Sequence, residues 1–255
     1  FSDDFGQGLG SWSATGFWSQ INLSVKTIPN TLVDGGYTSL APDEAGPQAR
    51  LTNAFNGNSA WWYGQLSTGS FIGTQSSSDG ILSGGTSTIS NSGQLTSPSI
   101  NLVSTTTPFL RFRTWWEVES VNPNQSGFDI MEVQVSTDGG SSFTTIKKLN
   151  PFVDPNDSDR DAKPFSSGGF NRKPVWVLEE IDLSNYVGEV ITLRFDFKTK
   201  DTQYNGFRGW IIDILEIVDF SSSASAVAAK SMQFKSLQVQ TKNARNEFLE
   251  VHKKP

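Results

Sequence analysis

The chain has 255 residues, a formal net charge of -6, a sequence pI of about 4.9 and no cysteine. A disulfide framework and a thiolate metal site are therefore excluded. The acidic balance lacks the basic footprint that nucleic acid requires, and no apolar stretch reaches the roughly 20 residues of a membrane helix. One histidine and two methionines leave little for imidazole or redox chemistry. With 12% aromatic, 18% charged residues and 23 glycines, the composition fits a β-rich extracellular protein with long loops. The chain begins at Phe1 rather than Met, which reads as the trimmed product of an exported protein.

The opening FSDDF sets Asp3 and Asp4 on opposite faces of a short first strand, so one of them at most serves a given site. Asp4 is the preferred cation ligand, against both acids being surface groups. Proline and glycine punctuate residues 21–58 without sustained alternation. SAWWYG, 59–64, is a compact aromatic strand with Trp61 and Tyr63 facing one way and Trp62 the other. Trp61, Trp62 and Tyr63 are either core rings or, for those left exposed, a sugar-stacking platform. Residues 67–93 are low in complexity and read as loop or short irregular strands, and Pro98 bends the strand that follows.

PFLRFRTWWEVES, 108–120, sets Leu110, Phe112 and Thr114 against Phe109, Arg111, Arg113 and Trp115. DIMEVQVS, 129–136, sets Met131, Val133 and Val135 against Ile130, Glu132 and Gln134, one apolar and one wet face. The Asp138-Gly139 pair that follows is a hairpin signal; the stretch resembles the structural Asp-box turn of sialidases. The 150–169 loop clusters Asp154, Asp157, Asp159 and Asp161, the last three at alternate positions, a pattern that serves either a Ca²⁺ ion or a solvated acidic loop. Residues 175–181 form a strand leading into a turn, and VITLRFDF, 190–197, is the most regular strand, with Ile191, Leu193, Phe195 and Phe197 on one face.

The organising stretch is DTQYNGFRGWIIDILEIVDF, 201–220, a polar loop running into a buried central strand interrupted by Asp213. A carboxylate there needs a pairing partner, a fixed polar network or a hard cation. After Phe220 comes a Ser/Ala linker, 221–230, then a tail, 231–255, whose Met232, Phe234, Leu237, Val239 and Phe248 read as an apolar strand. An unpaired strand of this kind is an aggregation liability unless it docks, in cis or in trans.

The string DDF, SAWWYG, LTSPSI, VSTDGGSSF, IDLSNYVG, LRFDF and NGFRGWIID, spanning residues 1–220, resembles the MAM-like jelly-roll modules of bacterial and archaeal secreted and cell-surface proteins, found beside immune-inhibitor-type peptidases. The resemblance implies an all-β, two-sheet antiparallel jelly-roll sandwich with long loops and a C-terminal extension strand. It also implies a structural Ca²⁺ where the first and last strands meet. Carried over by position, the ligands would be Asp4 and Asp213, with Asp201 and Asn205 from the preceding loop. This sequence departs from the pattern in having Ile214 where a second acid often follows.

Three function classes follow. Enzyme is the least supported: His252 lies in the tail, no nucleophile stands in a recognisable constellation, and Glu117 and Glu119, two apart on one strand face, are a carboxylate pair open to glycoside chemistry but of a kind that more often marks a solvated face. A carbohydrate-binding module accessory to a secreted hydrolase or peptidase is the second reading. The favoured one is a non-catalytic, secreted or cell-surface structural or adhesive module that links to copies of itself by addition of the C-terminal strand. Sequons at Asn22, Asn124 and Asn156 fit a surface role.

Overall fold

The computed structural model describes residues 1–6, 10–23, 29–30, 49–76, 85–119, 128–149, 164–170, 172 and 174–220. Sixteen strands follow in chain order: β1 (Ser2–Asp3), β2 (Ser13–Ala14), β3 (Trp18–Asn22), β4 (Pro29–Asn30), β5 (Ala49–Arg50), β6 (Ser59–Tyr63), β7 (Ser92–Thr96) and β8 (Ile100–Asn101). Then come β9 (Pro108–Glu119), β10 (Asp129–Ser136), β11 (Thr144–Lys148), β12 (Pro164–Ser166), β13 (Gly169–Phe170), β14 (Val177–Asp182), β15 (Val190–Thr199) and β16 (Gly209–Asp219). A single 3-10 turn, Ser184–Tyr186, is the one helical element among the described residues. No helix there is long and apolar enough to cross a membrane.

These strands form two antiparallel sheets and a small β4-β5 ribbon. The first sheet runs β13-β12-β9-β16-β6-β3, with β14 beside β12 along β9 and β1 beside β6 along β16. The second runs β11-β10-β15-β7-β2, with β8 continuing the line of β7 along β15. The all-β, two-sheet antiparallel sandwich that the resemblance implies is thus the observed architecture.

Strand parity explains the core. Leu110, Phe112, Trp116 and Val118 of β9 face Met131, Val133 and Val135 of β10 and Ile191, Leu193, Phe195 and Phe197 of β15 across the sandwich. Aromatic rings bridge the two sheets: Tyr63 stacks on Phe197 at 4.2 Å, and Phe195 meets Trp210 at 5.8 Å and Phe112 at 5.2 Å. Edge-to-face and offset pairs of this kind add to the area they bury. A second apolar cluster, with Trp62, Trp115 and Ile211 at its centre, lies on the outer face of the first sheet, where Leu51, Ala54 and Trp176 cover it. The sheet is therefore buried on both sides, and β9 and β16 lack a wet face over much of their length. Gly209 opens β16 at φ +81°, and a Cβ there would stand 2.1 Å from the Tyr63 carbonyl oxygen. Only glycine lets β16 approach β6 so closely.

Candidate functional site

Asp213 lies in the middle of β16, completely buried, at a β-bulge: Asp213 pairs with Arg113 while Leu215 pairs with Phe112. The extra residue, Ile214, takes φ 41°, a conformation that costs a β-branched side chain energy. The bulge turns the Asp213 carboxylate toward main-chain donors. Its Oδ2 accepts from the Phe55 N–H at 2.7 Å and the Asn56 N–H at 3.0 Å, and its Oδ1 from the Ile214 N–H at 2.7 Å. Burial pushes its pKa up, the three N–H bonds pull it back, and the nearby Asp4 carboxylate pushes it up further. Of the alternatives for an acid in this strand, the fixed polar network is what the structure shows. Asp213 pins segment 53–58 onto the outer face of the sheet.

The four residues expected to share one cation are in two places. Asp4 is exposed, accepts from the Gly6 N–H at 3.0 Å, and lies close to Asp213. Asp3 turns the other way and accepts from the Trp12 indole N–H at 2.8 Å. Asp201 and Asn205 belong to the loop before Gly209, and four residues of extended strand, about 13 Å, separate Gly209 from Asp213. A Ca²⁺ ion takes its oxygens at about 2.3–2.6 Å. The ligand set drawn from the MAM-like resemblance does not fit as one site, because the strand puts its two halves at different ends. Among the described residues no three acids, histidines or cysteines converge into a ready-made metal cluster.

Asp201, to whose carbonyl the Asn205 amide donates, instead lies close to a residue that the sequence reading passed over. Asp129, the first residue of β10, shares the parity of Met131, Val133 and Val135 and so points into the end of the core, fully buried. The alternation of DIMEVQVS already carried that signal when read back from Met131 to its first residue. Its Oδ2 accepts from the Glu119 N–H at 2.8 Å, while its Oδ1 has no partner. Desolvation drives its pKa up to about 8, against the Glu119 N–H and with the help of the Asp201 carboxylate.

The glycosidase candidates are tied down. Glu117 is 3% exposed and held by Arg208, itself 1% exposed, through Nε–Oε1 at 3.0 Å and Nη2–Oε2 at 2.6 Å. That guanidinium lies 5.0 Å from the Trp115 ring, and the Arg208 carbonyl accepts the Trp62 indole N–H at 2.7 Å. Glu119 is also buried. The sugar platform is corrected outright: Trp61, Trp62 and Tyr63 are all buried, with Trp61 and Tyr63 in the inter-sheet core and Trp62 in the outer cluster. Of eight tryptophans, only Trp176 is more than slightly exposed, beside Phe55 at 5.9 Å. Asp154, Asp157, Asp159 and Asp161, and Met232, Phe234, Leu237, Val239 and Phe248, lie outside the described residues.

The outer face of the second sheet is of a different kind. Glu132 Oε2 accepts from the Gln134 amide at 2.9 Å and the Thr145 hydroxyl at 3.1 Å. Gln134 Oε1 accepts from Arg194 Nε at 2.6 Å, and the Arg194 guanidinium lies 3.7 Å from the centre of the Phe143 ring. Lys148 and Lys198 reach Glu132 at 3.6 and 3.8 Å, and Lys198 also reaches Asp196 at 3.2 Å. Burial pushes Glu132 upward, but the bonds from Gln134 and Thr145 and the two lysines outweigh it and hold the acid below its ordinary range. Three strands, β10, β11 and β15, thus carry a fixed lattice of donors and acceptors, in which Arg194 and Lys198 stay partly exposed over the buried Glu132, Gln134 and Asp196.

No family model matches the chain, and no curated protein matches it in sequence. Among solved structures, the K3 cleaved adhesin domain of Lys-gingipain from Porphyromonas gingivalis W83 is 13% identical with a TM-score of 0.41, over 86% of this chain and 97% of that one. The K1 domain of the same protein is 16% identical with a TM-score of 0.37, over 82% and 99%. The C-terminal family 22 carbohydrate-binding module of Clostridium thermocellum Xyn10B is 11% identical with a TM-score of 0.36, over 88% and 95%. At these values the likenesses carry no argument about what this chain does.

Proposed function

We propose that the chain is a MAM-like, non-catalytic, extracellular adhesive module, and that it meets its partner, a surface glycan, on the outer face of the second sheet. The observation that supports this most is the lattice beside Phe143, in which the partly exposed Arg194 and Lys198 are held in place from beneath by the buried Gln134, Glu132 and Asp196 before any ligand arrives. Carboxylate, amide and guanidinium groups at fixed spacing are suited to adjacent hydroxyl pairs, since each presents two polar atoms side by side in one plane: two acceptors, an acceptor and a donor, or two donors. Preorganisation lowers the ordering cost that otherwise absorbs binding energy. The non-catalytic part of the reading rests on Glu117, whose carboxylate is held on both oxygens by Arg208 and is not free to pass a proton to a leaving group. A glycan array probed with the full chain tests it. Binding that is lost in Gln134→Ala and Arg194→Ala and kept in Trp176→Ala supports the face; no glycan bound by the wild type sinks it.

Self-association is the second reading, and the edge of the first sheet favours it. β3 ends that sheet among the described residues and carries WSQIN, with no charged side chain to repel an incoming strand. The opposite edge strand of the second sheet, β11, carries Lys147 and Lys148. In this reading residues 231–251 of one copy add to β3 of the next. Light scattering of the full chain and of one ending at Phe220 tests it: equal masses for both forms reject it.

A further inference from the structure

The buried polar end of the core, where β10 begins and the β15–β16 loop closes over it, carries two side-chain oxygens that nothing in the fold serves. Asp129 Oδ1 and Asn205 Oδ1 have no hydrogen-bond partner, and both residues are 0% exposed. Asn205 is held rigidly with that oxygen left over. Its Nδ2 donates to Ser87 Oγ at 2.9 Å and to the Asp201 carbonyl at 3.2 Å, and its N–H to the Gly85 carbonyl at 3.1 Å. Asp201 joins the two orphans. Its carbonyl takes the Asn205 amide and the Thr199 hydroxyl at 3.1 Å, Thr199 pairs in register with Asp129, and its carboxylate acts electrostatically on Asp129.

We propose that Asp129, Asp201 and Asn205 hold a Ca²⁺ ion that clamps the β15–β16 loop to the start of β10, at the end of the sandwich away from Asp4 and Asp213. An isolated buried carboxylate is costly, and an unserved buried oxygen calls for a water, a proton or an ion. Among the described residues no lysine or arginine pairs with Asp129. Two aspartates and an asparagine are all-oxygen donors on a loop and a strand end, the hard and adaptable set that suits Ca²⁺ rather than Mg²⁺. Two acids fall short of a three-carboxylate cluster; carbonyls and water complete the six to eight oxygens that Ca²⁺ takes.

The test is calorimetric titration of the chelator-treated full chain with Ca²⁺, paired with thermal unfolding in Ca²⁺ and in chelator. Wild type binds and melts higher with Ca²⁺, and Asp129→Asn weakens binding by at least about tenfold, since affinity follows the charge of the ligand set. Asn205→Asp adds a carboxylate to the cage and tightens binding by a similar factor, while lowering the melting temperature in chelator. Asp4→Ala leaves the Ca²⁺ response unchanged. Three results overturn the proposal: a flat titration of wild type; a response lost in Asp4→Ala and kept in Asp129→Asn; or Asn205→Asp destabilised equally with and without Ca²⁺, which would mean that Asp129 is simply a neutral carboxyl.

Discussion

Arg208 and Glu117 illustrate how a single residue holds the outer cluster in place. Removing the guanidinium in Arg208→Ala leaves a carboxylate buried under Trp115 without its partner, and about 3–5 kcal/mol of stability is expected to go with it in urea unfolding. Arg208→Lys does not restore it, because an ammonium lacks the planar fork that meets both oxygens. Replacing the pair together, Arg208→Met with Glu117→Leu, costs less than either single change, since no orphan charge remains. Asp213 works through main-chain donors. Asp213→Ala strips the acceptor from three N–H groups, at about 1–3 kcal/mol for each left unserved. Faster hydrogen exchange at Phe55 and Asn56, with β10 unaffected, is the expected signature.

Turning to elements, the β10–β11 hairpin is built on its own turn. Ser136 Oγ donates to Asp138 Oδ1 at 2.6 Å and accepts from the Gly140 N–H at 2.8 Å, and Ser142 donates its hydroxyl and its N–H to Asp138. Bonds from Ser136 and then Ser142 hold the Asp138 carboxyl well below its ordinary value of 3.8. Its folded pKa is the lower one, so its contribution is present above 3.8 and fades as pH falls toward the folded value. Amide protection at Gly140 and Ser142 is therefore expected to drop in acid before that of β15, and to be low at all pH in Asp138→Ala. This element was legible from the Asp138-Gly139 pair; Gly139 and the following Gly140 take φ 73° and 92°. The bulge in β16 was not. Nothing in WIIDILEI marks Ile214 as the residue at φ 41°, because the cause is distant: the N–H groups of Phe55 and Asn56 that draw Asp213 toward them. Ile214→Gly relieves that conformation and is expected to be stabilising by up to about 1 kcal/mol. Leu215→Ala, next to it in the core, costs about 2–5 kcal/mol; equilibrium unfolding of both variants checks the contrast.

For the molecule as a whole, one inter-sheet core with Phe195 touching Trp12, Phe112 and Trp210 implies one cooperative unit. Phe195→Ala is expected to cost about 3–5 kcal/mol, with tryptophan fluorescence and circular dichroism reporting a single coincident transition in both forms. Period-2 alternation made the two faces of β9, β10 and β15 readable, while their assembly into two sheets was an expectation carried by the MAM-like resemblance. Alternation could not show that the first sheet is covered on its outer face as well, which is why a platform stood open beside core packing for the rings of β6 until both faces proved buried. Nor does a resemblance carried over by position give distance along a strand, which is why Asp201 and Asn205 were grouped with Asp213. The pairing of the first and last strands has a mechanical consequence. β1 runs antiparallel to β16, and the Phe1 carbonyl accepts from the Ile217 N–H at 2.8 Å, so residues 1 and 220 leave the sandwich at the same corner. Tension applied through those two points peels Phe1, Ser2 and Asp3 from β16 one bond after another, like a zipper, instead of loading the bonds together in shear. The module would yield first at that seam, at low force, and lengthen by only the first few residues while β9, β10, β15 and β16 stay packed.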